Sequence, residues 1–133
     1  MTQSQIELVR KSWRSLLGID PSIIGDTFYS KLFVVAPSTR KLFPQDMKQQ
    51  NVKLVEMLNA IVISLNAPEQ IKDELIAMGE RHHTYGVKPH HYDIIGSTLL
   101  WTLEKALGSD WNNHTKNAWP TCNKELQELW KTA

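Results

Sequence analysis

Six prolines and six glycines cut this 133-residue chain into helix-length pieces, and inside each piece apolar residues recur at steps of three and four. That period stacks side chains on one face of a helix, whereas a half-buried strand needs strict alternation. Ser4 and Glu7 read as a capping box, with Ile6, Val9, Trp13 and Leu16 on one face and Gly18 as the stop. Asp20-Pro21 joins a cap to a first-turn proline and opens the stripe Ile24, Phe28, Leu32, Val35. Gly25 lies beside that stripe, where a missing side chain lets another helix cross closely. Pro37 starts a short helical turn through Leu42, which Phe43-Pro44 breaks. A long helix runs from about Lys48 to Leu65, with Leu54, Leu58, Ile61 and Leu65 in register, and Asn66-Ala67-Pro68 ends it.

Three more helical patterns follow. The first carries Ile71, Leu75, Met78, Gly79 and His82 and stops at Gly86, a left-handed cap. The second runs from Pro89 to Leu107 with Tyr92, Ile95, Leu99, Leu103 and Ala106 in register, and Gly108 stops it. The third begins at Asn112 or Asn113 and shows Ala118, Cys122, Leu126 and Leu129, with Pro120 expected to kink it. No segment alternates with period two, and no Asn-Gly or Asp-Gly turn appears. The class is all-α, with seven or eight helices that must pack on one another.

The length fits one domain over 1–133. A net charge of +1 gives no electrostatic case for nucleic acid or an anionic membrane. The single cysteine, Cys122, excludes an internal disulfide and a Cys-rich zinc site. The polar start Met1-Thr2-Gln3-Ser4-Gln5 is not a signal peptide. No apolar run approaches the ~18 residues of a membrane helix. A cytoplasmic location is expected.

His82 continues an apolar row, three beyond Gly79 and four beyond Met78, while His83 is turned away by roughly a quarter turn. An imidazole on an apolar face needs a partner for its ring nitrogens. A carbonyl, a water and a metal all qualify, and the pattern alone does not choose. His83, His90, His91 and His114 read as surface or helix-end residues. The pairs His82-His83 and His90-His91 lack the carboxylate or cysteine that completes a familiar zinc set.

The run Phe28-Tyr29-Ser30-Lys31-Leu32-Phe33, then Pro37, then Leu42-Phe43-Pro44, resembles the second helix and following corner of globins. Gly79-Glu80-Arg81-His82-His83-Thr84-Tyr85-Gly86-Val87 resembles the globin proximal helix and its exit. His91-Tyr92-Asp93-Ile94-Ile95-Gly96, Leu99 through Gly108, and Ala118-Trp119 extend the likeness over nearly the whole chain. It is most similar to single-domain bacterial globins of the flavohaemoglobin branch, with a likeness to neuroglobin.

The resemblance implies a globin fold around haem b, iron protoporphyrin IX. It implies His82 as the metal ligand, Phe43 wedged against the porphyrin, and Leu54, Leu58, Val87, Tyr92 and Ile95 along the pocket. Lys53 and Arg81 would meet the propionates or else stand as solvated cations. On the distal side it implies Tyr29 and Gln50, with Leu54 beside them. Gln49 is the alternative to Gln50, because the loop before them blurs the register. A phenol and an amide both donate to a ligand that becomes partly negative on binding. The implied function is high-affinity binding of O2, and of NO and CO, with no catalytic residue assigned. The alternative is nitric oxide dioxygenase working with a separate reductase, since 133 residues leave no room for flavin or nicotinamide binding. In flavohaemoglobins a tyrosine–glutamate network tunes the proximal histidine. Tyr92 matches the tyrosine. The glutamate falls at or past the end of this chain, and Glu125 and Glu128 come too early unless Pro120 shifts the register. A sensor role would need an output domain.

Overall fold

The computed structural model describes residues 1–67 and 69–131, and the side chains within them except at 70, 71 and 129–131. Pro68 and the side chains of Ile71 and Leu129 thus lie outside the described residues. Six α-helices follow in order: α1 Gln3–Leu16, α2 Pro21–Val35, α3 Lys48–Ile63, α4 Glu69–Thr84, α5 Pro89–Leu107 and α6 Asn113–Lys131. Short 3-10 helices occupy Pro37–Leu42 and Gly108–Asp110. The described residues contain no strand.

The helix ends show which local signals decided. The first cap is Thr2 rather than Ser4. Gln5 N donates to Thr2 Oγ1 at 3.1 Å, and Thr2 N donates to Gln5 Oε1 at 2.8 Å. Thr2 and Gln5 carry the same capping-box spacing as Ser4 and Glu7, and the earlier box closes. Asp20 caps α2 by accepting from Ser22 N at 2.9 Å, with Pro21 in the first turn. Asn112 caps α6 through Thr115 N at 3.0 Å. The α3 helix stops two residues short of Leu65. There the Arg10 guanidinium donates to the carbonyls of Val62 (3.3 Å) and Ile63 (2.7 Å), an interaction that suits the negative end of a helix. The α6 helix continues through Pro120, whose exposed position leaves the carbonyl one turn back beside solvent-facing Lys116.

One core cluster joins α1, α2, α3, α5 and α6 through Val9, Trp13, Leu16, Phe28, Leu32, Leu58, Leu103 and Trp119, among others. The Trp13 and Trp119 rings lie 6.3 Å apart. Each indole N–H is satisfied, by Asn59 Oδ1 at 2.9 Å and by Ser12 Oγ at 2.8 Å, as burial demands.

The crossing of α2 and α3 is set by Gly25. A Cβ built there would stand 2.5 Å from Asn51 Cα and 2.6 Å from Asn51 Cβ. Only a residue without a side chain allows that approach. Tyr29 is one turn beyond Gly25, and Gln50 adjoins Asn51. The close crossing therefore fixes the spacing of those two polar side chains.

Candidate functional site

A cavity of about 360 Å³ opens between α2, the corner after the first 3-10 helix, α3, α4 and α5. Its size falls in the ~300–1,000 Å³ range of small-molecule and cofactor sites. Most of the wall is apolar: Phe28, Leu32, Leu42, Phe43, Leu54 and Met57 among others. Against it stand His82, Gln50 and the phenols Tyr29, Tyr85 and Tyr92. A second cavity of about 30 Å³ lies behind and shares Phe28, Leu54, Met57, Tyr92 and Ile95 with the first.

His82 is held by the end of its own helix. Val87 N donates to His82 O at 2.9 Å and Gly86 N to His83 O at 3.1 Å, and Gly86 sits at φ +98°. This is the Schellman arrangement, in which a left-handed glycine ends the helix and folds the next residue back. It places Val87 and Tyr85 in the same cavity wall as His82. The imidazole is half-buried, and its pKa is lowered first by loss of solvent, then by the charges of Arg81 and His83. It is therefore neutral near pH 7, the state in which a ring nitrogen binds a metal. Tyr92 is 1% exposed, and its hydroxyl lies 3.5 Å from His82 Nδ1. That contact engages Nδ1 with a partner of the kind that orients an imidazole.

His83, expected at the surface or a helix end, lies in the last turn of α4. It is half-buried, and its Nε2 is shielded with no hydrogen-bond partner among the described residues. The ring of Tyr92 stands edge-on to it at 6.4 Å. Tyr92 reaches back from α5 over the last turn of α4, a contact that no helical period encodes.

Tyr29 is 5% exposed and packed by aromatic rings: Phe28 at 4.9 Å, Phe43 at 5.1 Å and Phe33 at 6.0 Å. Gln50 Nε2 donates to its hydroxyl at 3.0 Å. Gln49 is exposed, so of the two candidate amides it is Gln50 that meets Tyr29. Burial raises the phenol's pKa and outweighs the Gln50 hydrogen bond, which lowers it. Tyr29 thus keeps its proton. Because its oxygen accepts from Gln50, that proton is free to be donated elsewhere.

Of the residues named from sequence, Tyr29, Phe43, Gln50, Leu54, His82, Val87, Tyr92 and Ile95 line the large cavity. Leu58 lines the smaller one. Lys53 is exposed, and Arg81 is exposed and ion-paired to Glu74 at 3.1 Å. Neither is in the cavity wall. Phe28, Leu32, Leu42, Pro44, Met57 and Tyr85 complete the wall without having been singled out. Two carried a readable signal: Met57 is seven beyond Gln50 on one helix face, and Tyr85 is three beyond His82.

Among the described residues no three His, Cys, Asp or Glu side chains group to hold a metal ion. One imidazole in an apolar slot holds a metal firmly only if a chelating ring supplies the remaining donors. That donor set, together with the size and apolar wall of the cavity, fits an iron porphyrin.

The family model described as Globin matches residues 26–128, most of the chain. The chain belongs to the globin family. Similar proteins include an anaerobic nitrite reductase of Gossypium hirsutum, 30% identical over 89% of this globin and 81% of that protein. Neuroglobin-1 of Oncorhynchus mykiss is 26% identical over 90% and 83% of the two chains. An engineered carbene transferase from Rhodothermus marinus, described as a candidate nitric oxide dioxygenase, superposes with a TM-score of 0.87. It is 27% identical, over 99% of this globin and 92% of that chain. A bacterial globin from Campylobacter jejuni shares the fold, with a TM-score of 0.84 at 18% identity over 98% and 94% of the two chains. No helix among the described residues is long and apolar enough to cross a membrane.

Proposed function

We propose that this globin holds haem b in the large cavity through His82 and binds dioxygen, NO and CO reversibly, with high affinity for dioxygen, as a cytoplasmic gas-binding protein of one domain. The observation that carries the reading is the Gln50–Tyr29 hydrogen bond at 3.0 Å inside a mostly apolar wall that also contains His82. Haem, when bound, supplies an iron that takes up a diatomic gas. The chain's own residues do the rest. His82 presents a neutral ring nitrogen, and Tyr92 fixes the ring's orientation through Nδ1. Phe43 and Val87 fill the slot on either side of the corner and helix exit. Gln50, donating to the Tyr29 oxygen, polarises the phenol and strengthens it as a donor. Tyr29 then donates its proton toward whichever ligand gathers negative charge. Dioxygen gathers more than CO, so the pair discriminates between them. The test is gas binding to the purified, haem-loaded protein. A dioxygen affinity no higher for the parent protein than for Tyr29→Phe would remove the reading's support.

A second reading, nitric oxide dioxygenase with a separate reductase, is supported by the likeness to the Rhodothermus marinus protein and by the Tyr92–His82 contact of 3.5 Å. A hydrogen bond at Nδ1 makes the other ring nitrogen more electron-donating. Nitrate formed from NO by the oxygenated protein, measured with and without Tyr92→Phe, separates this reading from simple gas binding.

A further inference from the structure

The corner that carries Phe43 and Pro44 into the cavity wall has no helix or strand of its own between Phe43 and Met47. Backbone carbonyls in such a segment make no helix or strand bonds and take donors from side chains or solvent. One side chain supplies them. Arg40 Nη1 donates to Phe43 O at 3.3 Å and to Pro44 O at 2.9 Å, and its Nη2 donates to Gln45 O at 3.1 Å. The same guanidinium stacks over the ring of Phe33 at 5.1 Å. Phe33 in turn lies 5.6 Å from Phe43 and 6.0 Å from Tyr29, and Tyr29 lies 5.1 Å from Phe43. Arg40 is half-buried and has no ion pair among the described residues. Its charge is spent on three successive carbonyls and one aromatic face.

We propose that Arg40 is a positioning residue for the gas site: it clamps the corner so that Phe43 holds both the haem slot and the ring of Tyr29 in place. A planar, five-donor guanidinium spans three carbonyls and stacks at once. The point charge of lysine reaches one carbonyl at a time and does not stack as a plane. The contact runs from Arg40 through the Phe43 backbone to the Phe43 ring, and from there to the phenol whose hydroxyl Gln50 engages. Loosening the clamp should therefore alter the distal site as well as the grip on haem, while leaving the His82 side, held by its own Schellman turn, unchanged. The inference rests on the haem-binding reading for its functional part and on the hydrogen bonds alone for its structural part.

The test compares the parent protein with Arg40→Lys and Arg40→Ala in three measurements. Hydrogen exchange of the Phe43 and Lys48 amides, which donate to Arg40 O at 3.2 Å and Asp46 Oδ1 at 3.0 Å at the two ends of the corner, needs no haem. It should quicken about ten-fold or more in both variants, with α1 and α5 amides unchanged. In the haem-loaded proteins, transfer of haem to an apoprotein acceptor should quicken by a similar factor. The vibrational band of bound CO should broaden or shift, whereas the iron–histidine band of the reduced protein stays in place. Millimolar guanidinium or methylguanidinium should partly restore Arg40→Ala and leave the parent unaffected. Unchanged exchange at Phe43 and Lys48 in both variants would overturn the clamp. Faster exchange with unaltered CO band and haem transfer would overturn the link to the gas site. A parent protein that takes up no haem would sink the haem reading, and the exchange measurement would still decide the clamp.

Discussion

Replacing Tyr29 by phenylalanine removes one oxygen and leaves the ring packing of Phe28, Phe33 and Phe43 in place. The change therefore reads out a hydrogen bond with little added cavity. A hydrogen bond to a charged or strongly polarised acceptor contributes ~1.5–3 kcal/mol, and about 1.4 kcal/mol is a factor of ten in rate. The full loss would quicken dioxygen release about ten- to 150-fold. The structure places the result toward the lower end. In the parent, the Gln50 amide donates to Tyr29 at 3.0 Å. Without the phenol it has no acceptor there, and we expect one N–H to turn toward the ligand in compensation. We expect about a ten-fold faster release of dioxygen and a clearly smaller change for CO. Stopped-flow displacement of dioxygen by CO, and of CO by NO, measures both. Equal rates in parent and variant would mean that the Tyr29 proton is directed away from the gas, and the argument from Gln50's donation would fail.

Gln50→Leu should also speed dioxygen release, by less than Tyr29→Phe, and the double variant should fall short of the product of the two effects, because Gln50 acts through the phenol to which it donates. The same displacement measurement checks this. Gly25→Ala gains about 1 kcal/mol of helix propensity but places a Cβ 2.5 Å from the Asn51 Cα, a backbone atom. Overpacking of that kind costs ~1–3 kcal/mol, and its upper end applies where a backbone must move. Thermal unfolding should thus drop by roughly 3–10 °C, and an unchanged or raised midpoint would contradict the crossing. Burial lowers the His82 pKa below its ordinary value of 6.5. The unfolded chain then takes up the proton first as pH falls. The contribution of neutral His82 is complete above about 6.5 and is lost as pH drops through the lower folded value. Haem retention followed by absorbance should be flat from pH 7 to 9 and decline in the acid range.

Much of this architecture can be read from punctuation. Asp20-Pro21, Pro37 and Gly86 each dictate a local backbone geometry, and each element boundary stands where that geometry requires. Gly25 is legible for the same reason, since a glycine beside an apolar stripe has little use except close approach. Capping was less certain, because Thr2 with Gln5 and Ser4 with Glu7 are overlapping boxes of equal local merit. The wall of the site was half legible. Gln50, Leu54 and Met57 share a helical face, so period alone groups them. Lys53 and Arg81, expected at the propionates or as solvated cations, stand on exposed faces, and Arg81 pairs with Glu74. The burial of His83 and the reach of Arg40 stayed hidden. One depends on Tyr92 arriving from another helix, and the other on backbone carbonyls, which carry no sequence signature.

In the proposed reading His82 is the one protein ligand to haem iron, with Tyr29 and Gln50 in the same cavity wall. The absorption spectrum of the dithionite-reduced protein, recorded for the parent, His82→Ala and His83→Ala, tests it directly. No histidine precedes His82 in the chain, so a second imidazole from α3 is unavailable. A broad five-coordinate spectrum is expected for the parent and for His83→Ala, with normal ligation lost only in His82→Ala. Sharp, split visible bands of a six-coordinate low-spin haem in the parent, or equal losses in the two variants, would contradict it.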